Sequence, residues 1–133
     1  MSGLTHYAAW LAPIFVFGAV VLVHELGHAR LARRLGMDVV AIDVHGLGGQ
    51  CAYAGSPTRR EQAIIAWGGV LAQSALLAVA LLVVAVLGWP ESGTLAQLAG
   101  SLVWTNVGVL ALNLLPFPPL DGADAWRLFR SRR

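Results

Sequence analysis

Three long apolar stretches constrain this chain more than any other feature of its sequence. They run from Tyr7 to Val23, from Ala63 to Leu87 and from Leu95 to Leu115. As helices they would measure roughly 26, 38 and 32 Å, against a hydrocarbon core of about 30 Å, so each can span a bilayer. Composition agrees with this reading. Of 133 residues, 57% are hydrophobic and only 12% charged, too few charges to cover a water-soluble domain of this size. High hydrophobicity excludes a disordered chain, the lone Cys51 excludes a disulfide framework, and the lack of charged heptads excludes a coiled coil. A net charge of +2 gives no reason to expect a nucleic-acid partner.

Charge placement sets the expected topology. All nine basic residues are arginines. They fall just after the first stretch (Arg30, Arg33, Arg34), just before the second (Arg59, Arg60), and after the third (Arg127, Arg130, Arg132, Arg133). With three spans, those places share one side of the membrane. The positive-inside rule then puts the N-terminus outside and the C-terminus in the cytoplasm. No Lys or Arg precedes Arg30, which argues against a cleaved signal peptide. The expected location is a cell (inner) membrane. The first helix should continue past its apolar part to Leu35 and stop at Gly36, with arginines in its last turns.

Between the first two spans, Val39, Val40, Ile42 and Val44 form a β-branched run. Gly46, Gly48 and Gly49 interrupt it, and Cys51, Ala52 and Tyr53 resume it, which predicts a β-hairpin. Cys51 itself is read as a packing residue. The predicted fold is thus an all-α membrane protein, a single domain over 1–133. It has three transmembrane helices, a hairpin between helices 1 and 2, and a third helix broken by Pro116, Pro118 and Pro119.

The first span ends in chemistry. His24-Glu25-Leu26-Gly27-His28 is an HExxH motif. On a helix, the i to i+4 spacing places both imidazoles on one face, where they can share a Zn²⁺ while Glu25 takes a proton from water. At this composition the chance of such a match is roughly 0.003 over the whole chain. Membrane-boundary histidines beside a snorkelling Glu are the bland alternative. Ionisable groups facing lipid are costly, however, and three within five residues point to a shared purpose.

A catalytic zinc site generally takes three protein ligands. His6 lies at the far end of the first span, and His45 falls in the hairpin, where a solvated or hydrogen-bonded role is expected. Carboxylates remain. Asp121 follows the proline break, and its alternative role is to cap a short helix from Gly122 to Phe129. Asp124 is the second candidate, with first-turn charge as its alternative. Counted along their helices, His24 and Asn113 lie at similar depths, about 26 and 27 Å from the outer ends.

The segments VHELGH (23–28) and NLLPFPPLDG (113–122) resemble the HExxH and NxxPxxPLDG signatures of the site-2 protease family, peptidase family M50. The similarity extends over nearly the whole chain. It implies that His24, His28 and Asp121 ligate one Zn²⁺ per chain, that Glu25 is the catalytic carboxylate, and that Asn113 is a polar active-site residue. The family's middle helix often carries a Gly-Pro-x-x-Asn pattern. Here Gly69-Val70-Leu71-Ala72-Gln73 stands in its place. Gln73 either supplies an amide to the site or joins helices beside the small-residue face of Gly68, Gly69 and Ala72.

The resemblance implies an intramembrane zinc metalloendopeptidase. Its expected partners are a transmembrane protein substrate and the lipid bilayer, with a homo-oligomer also open. A membrane metal-binding or transport protein and a catalytically silent relative are the alternatives.

Overall fold

A computed structural model describes residues 3–130, with side chains described at residue 7 and from residue 10 onward. The side chains of His6, Arg132 and Arg133 lie outside that description. The elements are α1 (Gly3–Arg34), β1 (Asp38–His45), β2 (Gly48–Ala54), α2 (Arg59–Leu87), α3 (Gly93–Asn113), α4 (Gly122–Ala125) and α5 (Arg127–Arg130). Three helical segments, Trp10–Arg34, Arg59–Leu87 and Gly93–Asn113, are long and apolar enough to cross a membrane. The predicted three-helix architecture with its hairpin is borne out.

Local chemistry explains where the long helices begin and end. α1 runs through Pro13 and stops where Gly36 adopts φ 81°. There the Gly36 and Met37 N–H groups donate to the carbonyls of Arg33 and Ala32, at 3.1 and 2.9 Å. This is the left-handed cap that glycine allows. α2 opens on a capping box. The Thr58 N–H donates to Glu61 Oε2 at 2.7 Å, and the Glu61 N–H donates to Thr58 Oγ1 at 3.3 Å.

The third span stops at Asn113, two residues before the predicted Leu115. Leu115 precedes Pro116 and is therefore steered away from helical backbone. The Leu115 N–H accordingly bonds to the Leu112 carbonyl in a tightened turn.

The core lies where α1 crosses α2. A Cβ on Gly27 would collide with the Gly68 carbonyl and come within 2.7 Å of the Ala72 Cβ. The two backbones therefore touch, as small residues permit. Val20, Ala32, Ala63 and Ile65 are buried around this crossing. The outer surfaces are apolar instead: Trp104 and Val86 are each 72% exposed. Such surfaces suit lipid rather than water.

β1 and β2 pair antiparallel, from Asp38 opposite Ala54 to His45 opposite Gly48, with an irregularity between Val39 and Ala41. The hairpin packs on α1. The approach is close at Gly49, where a Cβ would meet Val21 Cγ1 at 2.6 Å and Glu25 Cγ at 2.8 Å.

The C-terminal helix differs from expectation. In place of one helix from Gly122 to Phe129 there are two short ones that part at Trp126. The Trp126 indole turns back, and its Nε1–H donates to the Leu114 carbonyl at 2.7 Å. The Trp67 Nε1–H on α2 donates to the Ala125 carbonyl at 2.9 Å. Trp67, Trp126 and Phe129 pack edge to face or tilted, with ring centroids 5.6 to 6.0 Å apart. The chain beyond the proline break is thereby fastened to α2 and to the end of α3. The Pro118–Pro119 peptide bond within the break is cis.

Candidate metal centre

α1 carries His24, Glu25 and His28 on its buried side, with residue exposures of 3%, 5% and 7%. Asp121 arrives from the segment after the proline break. His24 Nε2 lies 2.6 Å from Asp121 Oδ2, His28 Nε2 lies 3.1 Å from the same oxygen, and the two imidazole nitrogens are 3.0 Å apart. Three potential ligand atoms thus converge. Asp121 does not cap α4 with its side chain, because its carboxylate is turned to the imidazoles.

The second candidate, Asp124, stands apart from that cluster and pairs with Arg127 at 2.7 Å. His45 is exposed at the hairpin turn, where its Nδ1 accepts a weak hydrogen bond from the Leu47 N–H at 3.3 Å. The hydrogen-bonded role expected of it fits.

The outer nitrogens of the two imidazoles decide what the inner ones present. His28 Nδ1 lies 2.7 Å from the Ile65 carbonyl oxygen, which can only accept. Nδ1 therefore carries a proton, and in the neutral imidazole Nε2 faces inward with a lone pair. His24 Nδ1 lies 2.9 Å from Gln73 Oε1, an acceptor, with the same consequence.

In that neutral state two lone pairs and a carboxylate oxygen meet at hydrogen-bond distances, an arrangement that a positive charge among them stabilises. A proton bridges only two such atoms, whereas a metal ion takes all three. Around a tetrahedral Zn²⁺ the ligand atoms would be separated by about 3.3 Å. Opening the observed triangle by about 0.2 to 0.7 Å, most at the His24–Asp121 edge, reaches that spacing. The donor set fits.

Space for an ion is left by a glycine. A Cβ on Gly69 would come within 2.5 Å of His28 Nε2 and 2.6 Å of His24 Nε2. Burial works against charge on Asp121, but where the two imidazoles are protonated their hydrogen bonds and charge more than offset it, and the carboxyl is held at about 2. The ligand atom of Glu25 lies within 4.8 Å of those of both histidines.

His24, Glu25, His28 and Asp121 border one open cavity of about 750 Å³ between α1, the hairpin and the end of α3. Asn113 lines it, as does Cys51, whose thiol is pushed up by burial and by the nearby Glu25 charge. The helical depth count matched His24 with Asn113, and both do reach this cavity.

Sequence reasoning missed the two tryptophans that fasten the Asp121 segment and the steric role of Gly49 and Gly69. The sequence offers Gln73 two roles. It lies on α2 at zero exposure and is bonded to His24.

The Peptidase M50B-like family pattern matches residues 4–116. Two curated proteins, both provisionally named zinc metalloprotease Rip3 and from two strains of Mycobacterium tuberculosis, are 33% identical to this chain over 117 residues. That alignment covers 86% of this chain and 30% of each relative. The chain thus spans less than a third of the length of the curated relatives it matches. It belongs to the M50B-like peptidases, within the site-2 protease family, and is a membrane protein.

Proposed function

We propose that this chain is an intramembrane zinc endopeptidase that cleaves transmembrane segments of other membrane proteins. The reading rests on the convergence of His24 Nε2, His28 Nε2 and Asp121 Oδ2, at separations of 2.6 to 3.1 Å, beside the Glu25 carboxylate. His24, His28 and Asp121 hold one Zn²⁺ per chain. When bound, the ion supplies Lewis acidity and lowers the pKa of coordinated water to about 7.

The remaining steps belong to the protein. The Glu25 carboxylate accepts a proton from the attacking water and returns it to the leaving amine nitrogen. Gly49, packed against the Glu25 side chain, limits where that carboxylate can swing. Asn113, which lines the cavity, offers its amide to the substrate. A helical substrate must unwind before its peptide bonds are accessible, and the hairpin gives the unwound segment an edge for strand addition.

Residues 1–133 act as one transmembrane domain. The arginine distribution favours a cell membrane location with the N-terminus outside and the C-terminus cytoplasmic.

The test is to purify the chain in detergent, measure bound zinc, and compare cleavage of single-span substrates by wild type and Glu25→Gln. Glu25→Gln should keep its zinc and lose at least about 100-fold in rate. Equal cleavage by both contradicts the proposal.

A further inference from the structure

We propose that Gln73 is a positioning residue that holds His24 in the only tautomer able to ligate the metal, an inference resting on the reading of His24, His28 and Asp121 as zinc ligands. The amide of Gln73 is fully buried and both of its ends are engaged. Its Nε2 donates to the backbone carbonyl of Asn106 on α3 at 3.0 Å, and its Oε1 faces His24 Nδ1 on α1 at 2.9 Å.

The first bond determines the second. A glutamine amide can flip, but a backbone carbonyl only accepts, so the NH₂ end must face Asn106. The oxygen is then left for His24. Since that oxygen also only accepts, His24 Nδ1 must carry a proton, and in the neutral, metal-binding form of the ring it is Nε2 that turns a lone pair inward. The opposite tautomer would set two acceptors against each other at 2.9 Å and point a hydrogen at the ligand cluster. One line of hydrogen bonds thus runs from the α3 backbone, through an α2 side chain, to a ligand on α1.

The two histidines differ in this respect. His28 is oriented by the carbonyl of Ile65, which side-chain substitution leaves in place. His24 depends on a side chain that can be replaced. A purely packing role for Gln73 would need its volume but not its acceptor, and this separates the two accounts experimentally.

The test uses the full chain in detergent. Zinc affinity is measured by competition with a chelator of known strength, and the helix content and thermal midpoint of the zinc-free protein serve as folding controls. Gln73→Met keeps the approximate volume and removes the acceptor, whereas Gln73→Glu, its buried carboxyl protonated toward the Asn106 carbonyl, keeps both the donor to α3 and an acceptor facing His24. Gln73→Met should weaken zinc binding by about 10- to 100-fold with the helices intact, and Gln73→Glu should restore affinity to near wild type.

Wild-type affinity in Gln73→Met, or an equal loss in both variants, overturns the inference. If Gln73→Met does not fold, Gln73→Glu decides alone: retained affinity supports the inference and lost affinity overturns it. A wild-type chain that binds no zinc overturns the proposed function and this inference together. Zinc bound equally by wild type and Gln73→Met overturns only the inference.

Discussion

Gly69 leads to the sharpest expectation among single residues, because its missing side chain leaves the room in which the two imidazoles meet. A methyl group there would sit 2.5 to 2.6 Å from both Nε2 atoms. Alanine is otherwise well suited to a helix interior, and more so than glycine. Gly69→Ala should therefore lose zinc and, because two buried, hydrogen-bonded imidazoles must shift to clear the methyl group, lower the zinc-free thermal midpoint while keeping the helix content. Metal analysis and circular dichroism would read the two effects separately.

Asp121 gives an expectation about pH. Its folded carboxyl is depressed to about 2, so its contribution is present above the ordinary aspartate range and fades only as pH falls through that low value. Asp121→Asn should therefore weaken zinc binding most near pH 8 and less toward pH 5, where losing the carboxylate also relieves the imidazole protonation that competes with the metal. Zinc affinity at pH 8 unchanged by Asp121→Asn would show that the carboxylate does not contribute to the site.

The elements around the centre explain how a carboxylate beyond a broken helix is held against two imidazoles on another. The segment carrying Asp121 has little regular structure to fix it. What fixes it are the two indole N–H bonds, Trp126 to Leu114 and Trp67 to Ala125. Each is worth about 1 kcal/mol. Replacing Trp126 by Phe should leave the long helices unchanged and weaken zinc binding several-fold, read by chelator competition.

The capping box at the start of α2 acts differently. Thr58→Ala should lower the thermal midpoint, at a cost of about 1 kcal/mol, without altering zinc affinity, because Thr58 does not line the cavity. The contrast between these two variants separates loss of stability from loss of site geometry.

Across the whole molecule, what could be read from the sequence follows the range of the interactions involved. Span lengths, the Gly36 stop and the hairpin depend on neighbours a few residues apart, and their positions emerge from apolar length, glycine placement and β-branched runs. The pair His24 and His28 belongs to the same class, since one helical turn links them. Asp121 does not. Helical counting ends at Pro116, so residues alone left Asp121 and Asp124 both open, and the resemblance favoured the residue that the structure does bring to the imidazoles.

Contacts between distant segments were less legible still. The Trp67–Ala125 and Gln73–Asn106 bonds join residues 58 and 33 positions apart, and no local pattern announces them. The division of the last helix at Trp126 has the same origin, an indole drawn back to the end of α3.

The central claim is that one zinc ion is held by two imidazoles and one carboxylate of this chain. Zinc-edge X-ray absorption on the purified protein tests it most directly. The account predicts one zinc per chain with two imidazole nitrogens at about 2.0–2.1 Å and a carboxylate oxygen at about 2.0–2.2 Å, and a shell that loses an imidazole in His24→Ala and in His28→Ala. Protein that carries no zinc, or zinc whose ligand shell is unchanged by either substitution, would contradict it.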